Sequence, residues 1–184
     1  MSLNSARTSR AGPCETKDTQ ARLLNAAEAL FIDAGYAGMS ARAIADRAAV
    51  NIAAMGYHFG SKQGLLQAVL IRRIAPINRS RRARLAAVPE RGSESVKAIL
   101  HAFLWPVFFN EHEAPARRLM GRVMTEPAEV VEPLLNLVFS DVIEQFVVAM
   151  AACFPKQDPA LIAQKFSFVA GALNFTVLRP AERL

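Results

Sequence analysis

Residues 57–62 read Tyr-His-Phe-Gly-Ser-Lys and follow a run of small apolar residues, Asn51-Ile52-Ala53-Ala54-Met55-Gly56. An imidazole, a phenol and an ammonium lie within six residues there. Two chemistries suit them. His58 has the ring of a general base, but such a base needs a nucleophile or an acidic partner in reach. No Ser/Asp or Cys/Glu constellation lies near it in the sequence. The other chemistry is contact with a polyanion. Lys62 brings a point charge to the start of a helix, where free backbone N–H groups also favour anions. Tyr57 is either an inner packing residue or a hydroxyl donor, and Phe59 reads as core.

Charge distribution is compatible with the second chemistry and equally with a generic basic surface and a flexible basic tail. The net charge is +6, but residues 1–88 hold 13 Lys/Arg against 5 Asp/Glu, while residues 89–184 hold 9 against 11. A basic first half beside a slightly acidic second half fits a nucleic-acid-binding module joined to something else. Cys14 and Cys153 lie far apart and have no His or Cys at metal-ligand spacing. No disulfide framework, metal site or cofactor is expected, and a reducing cytoplasm fits best. The N-terminus lacks the apolar segment of a secretion signal, and no apolar stretch reads as a membrane span.

These residues must be positioned by helices. Residues 1–15 lack periodicity and read as a flexible arm, in which Arg7 and Arg10 could reach a DNA groove. A first helix is expected from about Thr16–Thr19, with Leu23, Ala27, Leu30, Phe31 and Ala34 as its apolar stripe and Gly35 as its end. Ser40 can cap a second helix, with Met39 packing on Ile44 as a staple and Ala45 and Ala48 facing inward. Asn51 can cap a third helix running to about Phe59. A turn of about four residues between the two short helices is helix-turn-helix spacing. After Gly60-Ser61, a long helix runs from Lys62 to roughly Arg84, bent at Pro76. Further helices are expected at Ser93–Phe109 (kinked at Pro106), Pro115–Thr125, Val130–Phe154 and Pro159–Leu178. No alternating β pattern of useful length occurs. The expected fold is all-α: an arm over 1–15, a three-helix helix-turn-helix domain over 16–62, a connecting helix over 63–88, and a further helical domain over 89–184, to which the resemblance given next assigns ligand binding and dimerisation.

The block from Ala21 to Leu70 resembles the DNA-binding domain of the TetR family of bacterial transcriptional regulators. The Ala-Ala-x-x-Leu-Phe core, the Gly-Tyr turn, the Ser-x-x-x-Ile-Ala second helix and the Tyr-His-Phe-Gly-Ser-Lys block stand in order at family spacing. The resemblance implies a repressor, not an enzyme, that binds a palindromic double-stranded DNA operator as a homodimer and is released by a small-molecule effector. It places Ser40, Arg42, Asn51, Ile52, Ala53, Gly56, Tyr57, His58 and Lys62 at the DNA, with His58 near backbone phosphate. Arg42 would meet a base edge or a phosphate, and Arg22 and Arg47 are further phosphate candidates. The third helix departs from many relatives. It offers few polar readers, and Gly56 stands where Tyr or Asn is frequent. Sequence reading would then lean on Asn51, Arg42, thymine methyls and DNA shape. The alternative is an architectural protein that binds DNA without an effector.

In the second half, the aromatic and Met residues are either core or the wall of an effector pocket. The expected pocket residues are His101, Phe103, Trp105, Phe108, Arg117, Met120, Met124, Phe139 and Phe168, with Asn110 and His112 as further anchors. The expected dimer contacts are Phe139, Phe146, Phe168, Gly171, Ala172 and Phe175, with Leu173 as another knob and with Ser167 and Ala170 allowing close approach. The basic run Arg72, Arg73, Arg79, Arg81, Arg82 and Arg84 reads as a solvated face with salt bridges, or as a second nucleic-acid face. Relatives usually carry a further helix beyond the last one here. The chain stops at RPAERL, which leaves either a shortened dimer bundle or a final helix outside this sequence.

Overall fold

A computed structural model describes residues 13–89, 95–108 and 114–178. Arg7, Arg10, Asn110 and His112 lie outside the described residues. Among those described, the elements are α1 (Pro13–Gly38), α2 (Ala41–Ala48), α3 (Ile52–Phe59), α4 (Lys62–Ala86), α5 (Ser95–Phe108), α6 (Ala114–Val123), α7 (Ala128–Ala151) and α8 (Pro159–Leu178). The fold is all-α, as expected.

Three caps punctuate the first half. The Ala43 N–H donates to Ser40 Oγ (3.1 Å), the Ala53 N–H to Asn51 Oδ1 (2.8 Å) and the Gly64 N–H to Ser61 Oγ (3.0 Å). Each cap satisfies a backbone donor that the first helical turn leaves free. Met39 is fully buried beside Ile44. The turn after α2 closes on Ala49 in the left-handed region (φ 51°). Leu23, Ala27, Phe31, Met39, Ile44, Leu65 and Leu66 form the core of the first three helices and the start of α4. Ala34 departs from the expected stripe and is exposed, because the chain is already turning there.

That turn differs from a simple helix end. Gly35 adopts φ 71° and ψ −174°, and one further helical turn follows it to Gly38. This backbone region is open essentially to glycine alone. A β-carbon at Gly35 would also collide with the Arg122 guanidinium and the Glu126 carboxylate, an ion pair at 2.7 Å on the far side of the α1–α6 contact. Gly35→Ala should therefore cost about 1–3 kcal/mol of stability, read as a lower urea midpoint.

α4 belongs to both halves. Its start packs against α1 and α3, and the rest packs against α5, α6 and α7. Glu28 on α1 fixes its rotation through Arg72 (2.5 Å) and Arg73 (2.9 Å). α7 is long and apolar enough to cross a membrane by length and composition. In this fold one face of it joins the core, burying Val131, Leu134, Val142, Phe146, Ala149 and Met150.

Candidate nucleic-acid interface and internal cavity

α3 has one buried anchor, Met55, and one outward face. Ile52, Ala53, Gly56 and Tyr57 lie one turn apart along that face and are all exposed, Tyr57 by 84%. Asn51, Ser40 and Arg42 are exposed as well. The Tyr57 side chain thus points outward, which excludes inner packing. Open space surrounds Gly56, with no heavy atom within 4 Å of where a β-carbon would stand.

His58 and Lys62 are half-buried and hold internal partners. His58 Nδ1 lies 3.4 Å from Gln20 Nε2, and its ring meets Tyr57 and Phe59 edge-on. Lys62 Nζ donates to the Tyr36 carbonyl (3.0 Å) and sits 3.8 Å from the centre of the Tyr36 ring. That ammonium ties the start of α4 to the turn after Gly35. Arg22 donates to the Ala49 carbonyl (2.6 Å), and Arg47 pairs with Asp33 (3.4 Å). Both brace the helix-turn-helix against α1. Among the described residues, no three His, Cys, Asp or Glu side chains gather where a metal ion could be held.

The second half holds a partly open cavity of about 310 Å³. Phe103, Arg117, Met120, Met124 and Phe139 line it, together with Ile74 and Ile77 of α4 and Leu173 and Ala170 of α8. The other expected pocket residues are not part of its wall. His101 and Phe108 are exposed, and Phe168 is 71% exposed. The His101 ring lies 4.8 Å from Trp105, which also receives the Arg84 guanidinium at 5.2 Å. These four side chains lie on faces of α5 and α8 turned away from the cavity.

Three expectations need correction. Phe146 is fully buried, packing on Phe103 (5.2 Å between ring centres) and Phe166 (6.1 Å), so it is not a contact for a second chain. Leu173 is likewise inside. Arg81 is no surface residue but is only 2% exposed and lines the cavity. Its Nε donates to the Phe103 carbonyl (2.9 Å) and its Nη1 to Asn78 Oδ1 (3.2 Å), while Asn78 Nδ2 donates to the Val138 carbonyl (2.6 Å). The guanidinium also stacks on Phe103 at 4.2 Å. Burial pushes its pKa down to about 10, so the side chain is still charged at neutral pH. One sequence signal marks it: Ile74, Ile77, Asn78 and Arg81 stand at i, i+3, i+4 and i+7, which puts the charge on the apolar stripe of α4. Phe168, Gly171, Ala172 and Phe175 share the same spacing on α8 and form one exposed stripe.

A family model described as bacterial regulatory proteins, tetR family, matches residues 23–69. A second, described as the tetracyclin repressor-like C-terminal domain, matches residues 101–183. Among solved structures the chain is similar to NalD, the secondary repressor of the MexAB-OprM multidrug efflux pump in Pseudomonas aeruginosa. That likeness has a TM-score of 0.68 and 21% identity, covering 91% of this chain and 88% of NalD. It is also similar to SmeT in its complex with triclosan (TM-score 0.69, 21% identity, 88% and 81% covered). A third is the fatty acid degradation regulator FadR from Bacillus halodurans (TM-score 0.63, 13% identity, 88% and 89% covered). At such identities the likeness concerns the fold. No curated protein matches the chain.

Proposed function

Since the chain belongs to the TetR family of bacterial regulatory proteins, we propose that it is a cytoplasmic transcriptional repressor and not an enzyme. It binds a palindromic operator as a homodimer and leaves it when a small molecule fills the cavity. The observation that carries this reading is the outward face of α3, with Ile52, Ala53, Gly56 and Tyr57 exposed on a helix capped at both ends. A groove-reading helix needs such a face, free of contacts to its own domain. The basic first half supplies the attraction to phosphate. The α8 stripe supports a dimer that spaces two recognition helices about one DNA turn apart. The cavity supports an effector, in keeping with the triclosan complex of SmeT. The ligand would favour one of two dimer geometries, and DNA the other.

The test is fluorescence anisotropy on DNA from the protein's own promoter region and on a scrambled duplex, across a salt series. A preference on the order of 10³-fold with a steep salt slope is expected of a specific regulator. Equal, weak binding to both duplexes would instead support the architectural alternative, which the scarcity of polar side chains on α3 favours. Lys62→Ala should lower the salt slope by about one unit, the signature of one lost phosphate contact. It should also cost about 1 kcal/mol of stability from the lost Tyr36 bond. A fall in stability with an unchanged slope would make Lys62 a strut only. Arg42→Ala should leave stability alone and blur specificity.

A further inference from the structure

We propose that the cavity takes an apolar molecule bearing one anionic group of the carboxylate class, with Arg81 as its counter-charge. This rests on reading the cavity as the effector site. Arginine is almost never fully buried without a pairing charge, yet among the described residues no ion pair includes Arg81. Two of its five N–H donors are placed on protein acceptors, Phe103 and Asn78. The cavity wall carries a second cation, Arg117, which donates to the Val107 carbonyl (3.0 Å), and among the described residues it holds no acidic side chain. Asn136 and Ser140, one turn apart on α7, add neutral polar groups. The rest of the wall is aliphatic or aromatic.

This combination selects by charge. A cationic ligand would be desolvated against two guanidinium groups. A neutral one would leave the Arg81 charge as poorly compensated as before. An anion would gain charge-assisted hydrogen bonds from a guanidinium that is itself only 2% exposed, and a planar carboxylate matches the guanidinium fork. Burial lowers the Arg81 pKa through desolvation, and a bound anion opposes that shift. The volume lies at the lower end of small-molecule sites, roughly 300–1,000 Å³, which suits a single ring with a short acidic tail.

A matched panel tests this: 4-phenylbutyrate, 4-phenylbutyramide and 4-phenylbutylamine, titrated calorimetrically into the full chain. The carboxylate should bind about tenfold to a hundredfold more tightly than the amide, and the amine should bind more weakly still. In Arg81→Met the gap between carboxylate and amide should shrink to within about threefold, in line with loss of that charge-assisted bond. The panel on the unaltered chain decides the matter even if that variant does not fold. Amide or amine binding as tight as the carboxylate, or no binding of any of the three, overturns the proposal. Each compound is then added to the promoter complex. A carboxylate that binds with the expected preference but leaves DNA affinity unchanged keeps the ligand class and removes the effector reading. Release by the amide as readily as by the carboxylate keeps the effector reading and overturns the ligand class.

Discussion

Phe168→Glu combined with Ala172→Glu should give a folded, monomeric chain whose affinity for a two-half-site operator falls by about 10²- to 10⁴-fold, the avidity that a linked second site contributes. Both positions are exposed on α8, so the substitutions remove no contact within the bundle's core. They place two carboxylates one turn apart on an apolar stripe. If that stripe meets its own copy across a two-fold axis, each charge is buried against a like charge. Sedimentation velocity reads the assembly, circular dichroism the fold and anisotropy the DNA affinity. A variant that remains dimeric would show that this stripe is not the contact.

Phe146→Ala should cost about 3–5 kcal/mol, the usual loss for deleting a fully buried phenyl group. That is a large share of a typical domain stability of about 5–15 kcal/mol. The ring lies between Phe103 and Phe166 and is fully buried, so the vacated space cannot collapse without moving three helices. Chemical denaturation should show the loss as a lower midpoint with an unchanged slope. At denaturant concentrations where the variant is still folded, its oligomeric state should match that of the unaltered chain. Selective dissociation with full stability would return Phe146 to the interface.

The contrast between Phe146 and Phe168 marks how far the residues alone could be read. α1 to α4 were legible because each break between them carries its own signal: the positive-φ Gly35 and the caps Ser40, Asn51 and Ser61. The residues exposed on α3 were named through the family resemblance, and Tyr57 stood open between packing and exposure until its side chain was seen to point outward. In contrast, α7 and α8 are apolar over much of their circumference. Periodicity then says that a side chain is buried but not whether its own bundle or a second copy buries it. Phe146 and Leu173 were misassigned for that reason. Trp105, Phe108 and Phe168 were grouped with the pocket because they are aromatic, and His101 as a polar anchor, although a cavity wall depends on which face converges with four other helices. Arg81 was hidden differently. Within a basic run it looked like one solvated charge among six, and only its register with Ile74 and Ile77 separates it from its neighbours.

Gly56 has a consequence for how this protein can change. The residue sits mid-helix, where glycine costs about 1 kcal/mol relative to alanine, and among the described residues no atom beyond its own stretch of helix comes within 4 Å of its missing side chain. Ala53 is exposed beside it. Larger or polar residues can therefore be written onto this face without disturbing Met55 and the core beneath it, and most of them would strengthen the helix. The outward face is in effect an open slate. If α3 reads DNA as proposed, new operator preferences are reachable by single substitutions that carry no folding penalty, so a population could acquire a new DNA target while keeping the cavity and the bundle unchanged.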